Sequence, residues 1–292
     1  MPTFSLKFLR FSSVFLFFAG VLPLFSQQLF GASSTFAYSF ERACSREINQ
    51  KLKNIERSFI SGNIIPKENQ QKLSQIYTEL TNCKKSSAEK SSDEKTFAEE
   101  DYYLNFYYSY LDVYGKIVDA VYFQNSKEKS AIEAYKKLVA SFHKDKKRIK
   151  KMDRQIASEI FALYSAILFD IMPLVSGGKR FGNSAEIDIT FLEALRLSKS
   201  NNRLYLTRAQ LEVVMSPSDF SIYKVKKMLE KLENMNDIET FHNHTISAAL
   251  SIRTLDFEKA EYHFQQAEKI FPGNPSLYLA KQNAKEMKFF PQ

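Results

Sequence analysis

From residue 38 onward, apolar side chains recur every three or four residues, with almost nothing to interrupt them: the 292-residue chain holds only 8 Gly and 8 Pro. That spacing gathers apolar groups on one side of a helix, whereas a strand needs strict alternation, and no such alternation competes here. The sequence therefore predicts an all-α fold of antiparallel helical hairpins. With 44% apolar and 25% charged residues, the chain is ordinary for a globular protein and unlike collagen-type or broadly disordered sequences. Its length suffices for one or two domains with a substantial core. The 26 Phe and 15 Tyr without a Trp, beside many Lys, Ser and Asn, match a bacterial coding sequence rich in A and T.

Residues 1–37 form a separate unit. Lys7 and Arg10 precede the apolar run Phe11 to Phe25, and no acidic residue intervenes, which is the pattern of a secretory signal. The run is shorter than the ~20 residues that span a bilayer, and Pro23 interrupts it, so a cleaved signal is expected, with an uncleaved N-terminal membrane anchor as the alternative. Cleavage is expected after Ser26, Ser33 or Ala37. Losing Lys7 and Arg10 takes the formal charge from +8 to +6. Cys44 follows Glu41-Arg42-Ala43 rather than a short apolar motif, which argues against lipidation. The expected location is periplasmic or secreted.

The run Phe40, Ile48, Leu52, Ile55, Phe59 and the run Leu73, Ile76, Tyr77, Leu80 keep helical spacing, and Ser61-Gly62-Asn63 with Pro66 separates them. This predicts an N-terminal hairpin over 38–83. In an antiparallel hairpin turning near residue 63 or 64, positions whose numbers add to about 127 lie opposite each other. Cys44 and Cys83 are such a pair. Oxidising conditions would join them, the alternative being two buried thiols. Neither Cys has a nearby His or a Cys-x-x-Cys partner, which argues against redox catalysis.

Residues 84–96 are read as a flexible linker, because KKSSAEKSSDEK offers nothing apolar larger than Ala. A helical domain is expected over 97–290. Its first helix, over 97–123, carries Tyr102, Tyr103, Phe106, Tyr107, Tyr110 and Tyr114 over a surface too broad for a single stripe, which points to core rather than to stacking on a ligand. Further helices are expected at 127–143, 149–175, with Asn183 or Ser184 capping the next, and then at 202–214, 220–235, 239–254, 256–270 and 275–289.

Ala260, Phe264, Ala267 and Pro272 stand at the small, large, small and proline positions of the second half of a tetratricopeptide repeat, which this segment resembles. The first half departs from that family, with His244, Ser247, Ala248 and Ser251 at its usual large, Leu, Gly and aromatic positions. Phe191 with Ala194 and Leu229 with Leu232 repeat the large and small pair more loosely upstream. The resemblance covers about 150–290 and implies hairpins stacked as a right-handed solenoid. It also implies a groove faced by His242, Thr245, Ala249, Ile252 and Arg253, joined by Arg203 and Gln210 from the preceding hairpin. Arg253 is the expected carboxylate binder.

Other chemistry finds little footing. Pro173 occupies the first Gly position of a P-loop before Gly178-Lys179, and Arg180 replaces the Ser or Thr. His242 and His244 are two apart on a helix, which points them away from each other, so with His263 they make no metal set; no metal or cofactor is expected. No nucleophile elbow, His-Glu-x-x-His motif or carboxylate dyad marks an enzyme. Lys144 to Arg154 carries seven basic and two acidic residues. In an exported chain that argues against nucleic acid, leaving a solvated segment or weak contact with an anionic membrane surface or acidic partner. The expected function is an exported binding or scaffold protein of the bacterial envelope with a protein or peptide partner. The alternative is a periplasmic accessory of a solute transporter, with a ligand pocket lined by Tyr103, Tyr107, Tyr110 and Phe161.

Overall fold

The computed structural model describes residues 38–62, 66–87, 94–122, 128–215 and 218–289. The proposed signal segment and its cleavage positions lie outside them. Eleven α-helices and no strand occur among the described residues: α1 Ala43–Ser61, α2 Pro66–Ser87, α3 Glu94–Tyr122, α4 Glu128–Ile149, α5 Arg154–Asp170, α6 Gly177–Leu197, α7 Asn202–Met215, α8 Asp219–Leu229, α9 Asp237–Arg253, α10 Phe257–Ile270 and α11 Pro275–Phe289.

The helix ends follow local chemistry. Gly62 closes α1 at φ 67°, a conformation costly to residues with a Cβ. Asp153 accepts from the Gln155 and Ile156 amides at the start of α5, and Asn236 with Glu239 forms a reciprocal capping box on α9. Pro66 and Pro275 occupy first helical positions, where a missing N–H costs nothing.

Successive helices pack in pairs: α1 on α2, α3 on α4, α5 on α6, α7 on α8, α9 on α10. The first members also pack on one another, α1 on α3, α3 on α5, α5 on α7 and α7 on α9, and α11 covers α10. At the centre lies α5, buried at every residue from Ile156 to Asp170. Its apolarity all round is long enough to suit a membrane span, yet 94% of that stretch is buried within the protein. One hydrophobic cluster runs from Phe40 to Leu250, and a second joins α9, α10 and α11 with Ile60 of α1.

The N-terminal hairpin is thus part of the common core. Cys44 and Cys83 form a disulfide with Cα atoms 6.0 Å apart, and Arg42 bridges Glu100 and Asp101 of α3. Phe59 sits where a Cβ on Gly115 would come within 2.6 Å of its ring, so the absence of that Cβ lets α1 and α3 close.

Five expectations change, the first being that the helix expected over 149–175 spans Arg154–Asp170, since Asp153 caps its start. Helix α4 runs to Ile149 rather than 143, because Lys146, Lys147 and Arg148 suit a helix C-terminus and Ile149 is fully buried. Ser176 precedes α6, and the Gly177-Gly178 pair enters its first turn, so Asn183 is no cap. Instead its amide donates to the Leu168 carbonyl, and its oxygen accepts from the Tyr135 hydroxyl. Helix α8 ends at Leu229 instead of 235, ahead of Asn234 at φ 46°. Of the expected linker, residues 84–87 extend α2 and 94–96 open α3, while 88–93 lie outside the described residues.

Candidate binding groove

Ala260, Phe264 and Ala267 are buried, and Pro272 stands exposed just beyond the end of α10. The groove positions do not stay open. His242, Thr245, Ala249, Ile252, Arg203 and Gln210 are all buried, and the Thr245 hydroxyl donates to the His242 carbonyl of its own helix. Arg253, half-buried, donates to the Glu212 carbonyl oxygen at 3.3 Å. As a correction, these seven are interior or backbone-engaged positions.

For Arg203 the physical reason is α1, and α7 and α9 also pack on each other. Glu56 of α1 receives both Arg203 Nη1 at 2.7 Å and Nη2 at 3.2 Å, Arg57 pairs with Asp237 at 2.6 Å, and Ile60 joins Ile238, Phe241 and Phe271. Asn274 donates to the Ile60 carbonyl. The chain's own first helix therefore meets Arg203 of α7 and the start of α9.

Around Arg203 lies a buried polar cluster. Its Nε donates to Glu159 at 3.2 Å, Glu56 also accepts from Tyr107 at 2.5 Å, and the guanidinium lies over the Tyr110 ring at 5.7 Å. Burial works against the Arg203 charge, but Glu56 and Glu159 more than offset it and hold its pKa above the ordinary value. Burial pushes the Asp170 carboxyl well above the usual carboxylate range despite Arg203. It likewise raises the Tyr103, Tyr107 and Tyr110 hydroxyls. Together with Phe161, these tyrosines are buried in the hydrophobic core.

Two side-chain groups went unseen in the sequence. His143 Nε2 and the Tyr164 hydroxyl both meet Glu186, at 3.1 and 2.6 Å. Burial, with Glu186 adding to it, raises the Tyr164 pKa, so that hydroxyl is a poor acid. His244 and His263 come together, Nδ1 to Nδ1 at 3.1 Å. Their ring centroids are 5.4 Å apart, a spacing that aims the two nitrogens at each other as in a hydrogen bond. His242 lies elsewhere, and no group of three or more metal-ligating side chains occurs among the described residues.

An open hollow does exist, between α3 and α4, with Lys84 of α2 at its lip. It measures about 830 Å³ and is floored by Phe106 and Leu138. Asn105 and Ser109 of α3 and Ser130 and Ser141 of α4 add polar groups to its walls. Of its acids, Asp101 is held by Arg42 and Asp112 by Lys116, and Glu133 is exposed on the α4 wall. Ala98 and Arg148 also line a second hollow of about 420 Å³, away from Glu133 and edged by Lys95, Glu99, Lys147, Lys151 and Met152. The lining residues recur at helical spacing on both helices, but they mix polar and apolar types, so no run of one residue type marks the groove in the sequence. Comparison with protein-family models, with curated proteins and with solved structures finds no match to the chain.

Proposed function

We propose that this chain is an exported, tetratricopeptide-like binding protein of the bacterial cell envelope that holds an extended peptide segment of a partner in the groove between α3 and α4. The observation that carries this reading is the groove itself: about 830 Å³, open along two helices, with an apolar floor and polar walls. Support for a right-handed solenoid comes from the order of packing, hairpin after hairpin with first helices in contact, and from the burial of Ala260, Phe264 and Ala267. The Cys44–Cys83 disulfide supports an oxidising compartment. A transporter accessory would need an enclosed ligand cavity, and the tyrosines expected to line one are packed as core.

The test fills the groove. Ser141 is exposed on its α4 wall, so Ser141→Trp should fold normally and obstruct it. Peptide-array binding by the full chain should fall at least tenfold in Ser141→Trp and be unchanged in Ala185→Trp on α6. Equal binding by both variants would contradict the proposal.

A further inference from the structure

We infer that the segment held in this groove is acidic, and that Arg148 binds one of its carboxylates with Lys95, Lys147 and Lys151 around it. The inference rests on the groove being the binding site and adds the chemistry of what enters. Arg148 lines both hollows, at their junction. Arg42, Arg57, Arg203 and Arg208 each pair with at least one carboxyl group. Arg148 is exposed, lies over the Tyr102 ring at 5.1 Å, and has no carboxyl within ion-pair distance among the described residues. The Tyr102 hydroxyl donates to Asp145 at 3.2 Å, which anchors that ring. Stacking on an aromatic face fixes a guanidinium without using its N–H donors, leaving the fork for a bidentate carboxylate.

The surroundings favour an anion. Glu99 is the acid that edges the smaller hollow, and it is already engaged by the Asp153 amide at 2.8 Å and Lys95 at 3.8 Å. The three lysines then leave the hollow positive. A recess between two helices follows a strand of chain along its length, which suits an acidic peptide better than the flat surface of an anionic membrane.

The test uses the disulfide-intact full chain and fluorescein-labelled hexaglutamate, read by anisotropy, with hexaglutamine as the uncharged match. Hexaglutamate should bind, weaken as salt rises, and lose about tenfold or more in affinity with Arg148→Ala. Arg148→Lys should lose less, and Lys231→Ala, away from the groove, nothing. If hexaglutamine binds as tightly as hexaglutamate, the inference falls while the binding groove stands; if neither binds and Ser141→Trp leaves array binding unchanged, both fall. Binding to phosphatidylglycerol vesicles but not to hexaglutamate, lost in Arg148→Ala, would replace the peptide with lipid and overturn the inference.

Discussion

Arg203 on α7 grips Glu56 on α1 through two guanidinium nitrogens, at 2.7 and 3.2 Å, across 147 residues of chain. This contact fastens the first helix to the later hairpins. Replacing a buried cation leaves its partners uncompensated, so Arg203→Met should cost about 3–5 kcal/mol in urea unfolding. Adding Glu56→Gln to that variant should restore part of the loss, because the two residues are coupled. Simple additivity would show that the pair does not act as a unit.

Asp170 should give an unusual pH response. Its folded pKa lies well above the ordinary 3.8, raised first by burial, so the fold favours the protonated form. The stability it contributes is complete below about pH 3.8 and is lost as pH rises toward the folded value. Relative to the native chain, Asp170→Asn should therefore gain stability with rising pH, by up to about 1.4 kcal/mol per unit. Parallel curves for the two proteins would refute this.

His263 acts in the opposite sense. Burial, then His244 and Lys259, lower its pKa to about 4 from 6.5. Its contribution is present above pH 6.5 and disappears as pH falls toward about 4. Melting temperatures measured across that window should fall less steeply in His263→Gln than in the native chain.

The Cys44–Cys83 bond closes a loop with a sequence separation of 39. Replacing both with Ser should lower unfolding stability by up to about 4 kcal/mol in the chain-entropy account. Native protein melting at the same temperature with and without reductant would contradict this.

Much of this architecture is written in the residues. The hairpin turn at Gly62 and the facing of Cys44 and Cys83 follow from counting along two helices, and Ala260, Phe264 and Ala267 occupy the interior positions their spacing implies. What local spacing cannot express is a contact made from far away. Arg203 stands at a position the resemblance gives to a ligand-facing side, but nothing near it in sequence announces that Glu56 would arrive from α1. Ile149 was hidden for a different reason, being a lone apolar residue among lysines and arginines that extend α4 by a further turn. The groove is invisible in sequence because Ser109 of α3 and Ser141 of α4 come to line one hollow only when the two helices pair.

The most direct test of the account places a photo-crosslinking amino acid at Ser141 in the groove, or at exposed Leu255 outside it, in the full chain in its native cells. Irradiation should give a defined adduct from Ser141 that an excess of hexaglutamate suppresses, and none from Leu255. Adducts from Leu255 alone, or a Ser141 adduct indifferent to that competitor, would contradict a peptide-binding groove between α3 and α4.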